Sequence, residues 1–400
     1  MESIMRQIMS QGVWDDFLAH RLRKGRFTWH SFEEADDFVD SESYLPVVSR
    51  LSGGEELGIP FKTVINKMGT GKKRVVYHFS DPEMTVLKLI SHLLYRYDGL
   101  FASNCYAFRR GKRASDAIFR LKREMKGRKL WAYKVDIHDY FNSISIPVLL
   151  PILSGIFKDD PQLYSFFERL LSDDRAWSGD EVIRERRGVM AGTPTAPFLA
   201  NVYLMEVDHH FEKEGVVYAR YSDDILILAD SEEELAARKD ELSDFFKKYH
   251  LEVNPAKEHV YAPGEAVDFL GFSLDGSRID VSKATLMKMK GKIRRKARSL
   301  HRWVSKTGKD PVLAMKALIN AFNRKFFEEG DPDTLSWSRW FFPVINSAEG
   351  LGEIDHYLQD NIRFLSTGKH NKANYRARYE DLKSLGYRSL VHEYHKFRQK

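Results

Sequence analysis

Apolar and polar positions along this chain follow two periods, and each change of period marks an element. Val216, Val217 and Tyr218 lead into Tyr221-Ser222-Asp223-Asp224, and Ile225-Leu226-Ile227-Leu228 leads out. Two short β-type runs around a polar tetrad predict a hairpin with an acidic tip. Lys134-Val135-Asp136-Ile137 is another short β-type run carrying an aspartate near its end. Helical spacing governs Met84, Leu87, Ile90, Leu93 and Leu94 after Asp81-Pro82, and again Glu232 to Tyr249. Gly69 and Gly71, with basic residues on both sides, predict the turn of a second hairpin. Residues 1–45 read as short helices. Beyond residue 304, Trp337, Trp340, Phe341 and Phe342 read as the core of a helical bundle rather than a base-stacking platform.

Composition narrows the class. A chain of 400 residues, 43% hydrophobic, can bury a sizeable core in two or three subdomains. A pI near 9.0 and a net charge of +6 are compatible with a polyanionic partner. The placement of charge says more. Lys283 to Arg302 carries Lys288, Lys290, Lys292, Arg294, Arg295, Lys296 and Arg298 without an acidic residue, over a stripe of Ile293, Ala297 and Leu300. Such a run is either a solvated helix face or a track for phosphate, and the lack of balancing acids favours phosphate. A single cysteine, Cys105, excludes an internal disulfide and a Cys-rich zinc site and suits a reducing compartment. His209-His210 has no nearby ligand partner in the sequence. The start has no signal pattern, and no run approaches the roughly 20 apolar residues of a membrane span. The expectation is a soluble, cytoplasmic protein with no membrane partner.

Adjacent aspartates repel, so a fold that keeps Asp223 and Asp224 together needs compensation. Taken alone, such a pair is more often a solvated turn or a cap. Carboxylates are also the preferred hard ligands of divalent cations. With Asp136 as a third, the set suits two Mg²⁺ ions about 3.5–4 Å apart, the arrangement of in-line phosphoryl displacement. Lys67-Met68-Gly69-Thr70-Gly71-Lys72-Lys73 is not a phosphate-loop motif. Asn66 stands where its first glycine belongs, and Lys73 where Ser or Thr should hold magnesium.

The ordered set of these motifs resembles the reverse transcriptase family, from about residue 60 to about residue 300. The resemblance implies an α+β right-hand polymerase with fingers, an antiparallel palm sheet, a helical thumb and a C-terminal helical extension. The corresponding ranges are 1–45 (N-terminal helical extension), 46–280 (fingers and palm), 281–335 (thumb) and 336–400 (C-terminal extension). It implies RNA-directed DNA synthesis with two Mg²⁺ ions, Mn²⁺ being a substitute. Asp136, the Ile137 carbonyl, Asp223 and Asp224 would form the metal site. Lys67 and Arg74 on the basic hairpin would clamp the triphosphate, or the hairpin is simply an exposed basic turn. Phe141, five positions after Asp136, matches the bulky aromatic that would clash with a ribose 2′-hydroxyl. Asp139 is expected to cap a helix instead of binding metal. Gly188-Val189-Met190-Ala191-Gly192-Thr193-Pro194 resembles the loop under the nascent base pair, with Gly192 allowing close approach. Many relatives carry Gln where this chain has Ala191, which puts strict templating in question. Lys257 matches the lysine that protonates pyrophosphate, or is an ordinary surface lysine. Phe269-Leu270-Gly271-Phe272 resembles the hairpin that grips the primer.

Arg109 and Arg110, in an aromatic-Arg-x-Gly segment, and Lys290, Arg294, Arg295 and Arg298 in the thumb would contact nucleic acid. Partners would be a structured RNA template, a primer with its nascent DNA, and dNTPs, with homo-oligomerisation open. The sequence contains no RNase H, endonuclease, protease or integrase motif. That pattern resembles stand-alone bacterial reverse transcriptases of the retron-like or phage-defence type, which pair with a dedicated non-coding RNA. Two other readings stay open: a template-independent or self-primed polymerase of the abortive-infection type, and a maturase-like RNA chaperone.

Overall fold

A computed structural model of the chain describes residues 2–23, 29–66, 73–328, 336–369 and 377–399. The chain forms two compact units, Met1–Gly264 and Glu265–Lys400.

The first unit begins with short helices, Ile4–Gln7, Gln11–Arg23, Trp29–Asp40 and Leu45–Ser52. Two sheets follow. One contains β1 (Phe61–Asn66), β2 (Lys73–His78), β4 (Arg175–Ser178) and β5 (Glu181–Arg184), in the order β2-β1-β4-β5. Its β1–β2 hairpin is antiparallel, with Ile65 opposite Arg74. The other contains β3 (Trp131–Asp136), β6 (Val217–Tyr221), β7 (Asp224–Ala229) and β8 (His259–Tyr261), in the order β6-β7-β3-β8 and antiparallel throughout. In β7 every residue after Asp224 is buried, so its run of apolar side chains is continuous rather than alternating. The helix Glu232–Lys248 packs on β3 and β7. The predicted helix after Ser80 spans Asp81–Leu93. Its start is closed by a capping box, in which Ser80 and Glu83 satisfy each other's end of the first turn.

The second unit opens with a three-stranded antiparallel sheet of β9 (Val267–Phe269), β10 (Phe272–Asp275) and β11 (Arg278–Val281). Leu270 and Gly271 form the two-residue turn between β9 and β10, both at positive φ, the geometry that suits a tight hairpin. Helices Lys283–Thr307, Pro311–Phe327 and Glu349–Thr367 pack on one another, and Leu390–Arg398 packs on Glu349–Thr367. Phe341 and Phe342 lie in this unit's core. The β9–β11 sheet lies in the same compact unit as the helices that follow it. Among the described residues no helix is long and apolar enough to cross a membrane.

Candidate active site

The acidic residues meet where β3 and β7 run side by side. Asp136, the last residue of β3, stands directly opposite Asp224, the first of β7. Antiparallel partners of this kind project side chains to one face, so two like charges are forced together. Asp223 lies in the turn between, where Tyr221 pairs with Asp224 and only Ser222 and Asp223 remain outside the ladder. Ser222 adopts φ 61°, a left-handed conformation that costs a non-glycine residue on the order of 1 kcal/mol or more. The Ile137 N–H donates to the Asp223 carbonyl at 3.1 Å, tying the turn to the end of β3.

Asp136 is buried. Burial, then the neighbouring Asp136 and Asp224 carboxylates, push the Asp223 carboxyl up to about 6, with Lys257 pulling the other way. Lys257 follows the hook Val253-Asn254-Pro255. The Asn254 N–H donates to the Asp136 carbonyl at 2.8 Å, and the Asn254 side-chain amide reaches the carboxylate at 3.4 Å. That hook delivers the Lys257 ammonium onto Asp136 Oδ2 as an ion pair. Lys257, with its side chain 44% exposed, thus lies beside the acidic group.

The donor set suits a divalent cation: Asp136 and Asp224 are strand partners, Asp223 adjoins them in the turn, and half-exposed Lys257 is their compensation. Among the described residues no three Asp, Glu, His or Cys side chains form a ready-made cage.

Next to the acids lies a second group of close approaches. The Phe141 carbonyl accepts from the Val189 N–H at 2.9 Å. The Tyr77 N–H, on β2, donates to the Ala191 carbonyl at 2.8 Å. Gly188 and Gly192 make these approaches geometrically possible. A Cβ on Gly188 would fall 2.3 Å from the Phe141 carbonyl oxygen, and one on Gly192, at φ 105°, would fall 2.9 Å from the Tyr77 carbonyl oxygen. Asn142 links the two sides through Ala191 N at 3.4 Å and the Val75 carbonyl at 3.4 Å. The structure thus brings together Phe141, Gly192 and the strand that carries exposed Arg74. Phe108, itself exposed and at φ 58°, meets Phe141 edge-on with ring centroids 6.1 Å apart. Lys67 lies outside the described residues.

Several expectations change. Arg109 does not face nucleic acid: its guanidinium is held by Asp98 at 3.3 Å and by the carbonyls of Ala102, Cys105 and Asp98. The side chain is only 8% exposed. Arg110 stays exposed, stacked over Tyr95 at 4.6 Å. Asp139 holds the cap position of the short helix Tyr140–Ser143 through its carbonyl, which accepts from the Asn142 and Ser143 N–H groups at 3.0 Å, and not through its side chain. It sits at φ 41°, and its carboxylate accepts from the Asn142 amide at 3.1 Å.

On the helix Lys283–Thr307 of the second unit, Leu286, Met289, Ile293 and Ala297 form the buried stripe. Arg294, Arg295 and Arg298 are exposed on its other face. Lys290 is spent on an ion pair with Glu353 and packs over Tyr357, which removes it from the expected phosphate contacts. Lys292 lies half-buried on the same helix. Burial, with Lys325, Arg295 and Lys288 around it, lowers its pKa. A half-buried ammonium among like charges is a site that an anion would stabilise. Lys325, from the helix Pro311–Phe327, gives no sign of this in the sequence, because only packing brings it there.

Residues 65–274 match the family of reverse transcriptases (RNA-dependent DNA polymerases). The chain belongs to this nucleotidyltransferase family and has its α+β right-hand polymerase fold. Among solved structures it is similar to a truncated apo telomerase from Candida tropicalis, with 14% identity, a TM-score of 0.45, and coverage of 56% of this chain and 55% of that one. An apo telomerase from Candida tropicalis matches at 11% identity and a TM-score of 0.49, covering 83% of this chain and 59% of the other. The telomerase from Candida albicans in complex with a fragment of telomeric RNA matches at 14% identity and 0.40, covering 90% and 70%. No curated protein matches the chain.

Proposed function

We propose that the protein copies RNA into DNA by adding deoxynucleotides to a primer 3′ end. One observation carries this reading: Asp136 stands in register with Asp224, with Asp223 in the adjoining turn. In this reading Asp136 and Asp223 hold two divalent ions, Mg²⁺ or Mn²⁺, with Asp224 and the Ile137 carbonyl in support. Bound there, the ions would stabilise the attacking and leaving oxygens of an in-line displacement. The primer 3′-hydroxyl gives up its proton to solvent as its oxygen bonds to the α-phosphorus, the bond from that phosphorus to the bridging oxygen breaks, and pyrophosphate leaves. Arg74, with Lys67, neutralises the triphosphate, the arginine by its bidentate fork. Lys257 releases Asp136 and gives a proton from Nζ to the departing pyrophosphate. Phe141 lies under the sugar and offers a ribose 2′-hydroxyl no partner. The first unit supplies fingers and palm, and the helix Lys283–Thr307 is the thumb.

Arg110, Arg294, Arg295 and Arg298 contact phosphates in this reading. Replacing Arg294, Arg295 and Arg298 by alanine should flatten the salt dependence of primer–template binding. The log–log slope should fall by about 0.9 for every phosphate that is no longer neutralised. Lys290→Ala, by contrast, should leave that slope unchanged, since its charge is spent within the protein. Binding isotherms across a salt series read both.

A second reading is favoured by Ala191, which is buried and has no group to reach a templating base: synthesis without a template. Purified protein given dNTPs and Mg²⁺, with and without RNA, separates the two. DNA made only with RNA supports templated synthesis, and DNA made without RNA supports the second reading. No DNA from a cognate RNA points to a maturase-like role. We further propose a dedicated structured RNA as template and a role in antiphage defence, from the resemblance to stand-alone bacterial relatives. Sequencing of RNA and DNA that copurify from cells tests this directly.

A further inference from the structure

The acidic turn is held from behind by a fully buried charge pair. Arg220, in β6, and Asp208, in the helix Met205–Lys213, have side chains with no solvent exposure. Arg220 Nε donates to Asp208 Oδ1 at 2.8 Å, and the Tyr218 hydroxyl donates to the same oxygen at 2.9 Å. Nη2 donates to Asp208 Oδ2 and makes the pair bidentate, while Nη1 reaches the acidic turn. Nη1 donates to the Ser222 carbonyl and to Asn201 Oδ1, both at 3.3 Å. Nη2 lies 3.3 Å from Cys105 Sγ and 3.5 Å from the Asn201 carbonyl. Asn201 is fixed in turn by its side-chain amide, which donates a hydrogen bond to the Ala107 carbonyl at 2.8 Å.

Stability alone does not explain this arrangement. A buried ion pair loses its hydration, and apolar residues of similar volume are often as stabilising or more so. What an apolar pair cannot do is hold the Ser222 carbonyl. That carbonyl belongs to the peptide unit before Asp223, on a residue already in a left-handed conformation. The peptide unit after Asp223 is anchored separately, by the Ile137 N–H. The backbone is thus tethered on both sides of Asp223, once to Arg220 and once to the end of β3 beside Asp136.

We propose that Arg220, braced by Asp208 and Asn201, is a positioning residue that aims the Asp223 carboxylate at the cation position it shares with Asp136. The inference rests on the reading that Asp136 and Asp223 hold the cation. Such outer partners of a ligand typically change metal affinity by about 10–100-fold when removed.

The test measures Mn²⁺ binding by electron paramagnetic resonance, without nucleotide or nucleic acid, together with thermal unfolding. Arg220→Met combined with Asp208→Leu removes both charges and leaves neither unpaired. This variant should unfold close to the parent temperature yet bind Mn²⁺ about 10-fold or more weakly. Parent affinity in a folded double variant overturns the proposal. If the double variant does not fold, Arg220→Lys decides: it keeps the charge but loses the fork, so weakened Mn²⁺ binding supports the role and parent affinity overturns it. Asp223→Asn distinguishes the underlying reading. It should abolish site binding, and parent-level binding in that variant overturns the metal assignment and this inference with it.

Discussion

Replacing Asp223 and Asp224 together by alanine should abolish DNA synthesis while leaving the protein at least as stable as the parent. The two effects have opposite signs because the acidic group is assembled against its own electrostatics. Asp136 and Asp224 are direct antiparallel partners, Asp223 adjoins both, and Lys257 is the cation that offsets them. Like charges opposite one another destabilise a sheet, so removing two of the three relieves repulsion. The chemistry depends on that same crowding, since it gathers the oxygens that divalent ions require. If those ions supply several kcal/mol to the transition state, their removal lowers the rate by more than about 10³-fold. Primer extension on an RNA template, read beside thermal unfolding, checks both halves. Synthesis retained in a folded variant would remove the carboxylates from the reaction. Synthesis that disappears together with the fold would leave their role to be read from Asp223→Asn.

The acidic site was legible in the sequence because its determinants are local. A tetrad between two apolar runs can hardly be anything but a tight hairpin, and a strand ending in aspartate needs only a neighbour to complete the set. The segments of Phe141 and Gly192 also pack through local backbone approaches, Val189 to Phe141 and Ala191 to Tyr77, though the close contact at Gly192 is with protein backbone. The arginines and lysines were not legible. A basic side chain advertises its charge in the sequence and hides its partner. Arg109 reads like a phosphate contact until the chain folds Asp98 and three carbonyls around it. Lys290 reads like its neighbours until Glu353 is brought up beside it. Arg220 failed in the opposite direction. An arginine in an otherwise apolar strand, directly before the acidic tetrad, was the available clue, but its partner Asp208 sits on a separate helix.

Phe141→Ala should erase most of the discrimination between deoxyribonucleotides and ribonucleotides without a comparable loss in deoxynucleotide incorporation. The residue occupies a half-buried position whose backbone is pinned by Val189 and whose ring is braced edge-on by Phe108 and by Tyr140, with centroids 6.1 and 5.9 Å away. A ring held on two sides cannot swing aside cheaply for an added hydroxyl, so selection by it should be steric and arise from rigidity. It is also polar in origin, because an aromatic edge gives a desolvated hydroxyl nothing to bond. Truncation to alanine removes the clash and opens room for water to serve the hydroxyl. The ratio of kcat/KM for dNTP over rNTP should fall by about 10²-fold, the scale on which a shaped apolar pocket discriminates. Most of that change should appear as faster rNTP use. Phe141→Tyr, which keeps the ring, should stay near the parent ratio. Parallel single-nucleotide incorporation assays with matched dNTP and rNTP measure the effect. A ratio unmoved in the alanine variant would mean that the sugar lies elsewhere than over this ring, and Phe108→Ala would then become the informative substitution, since it is the exposed aromatic beside it.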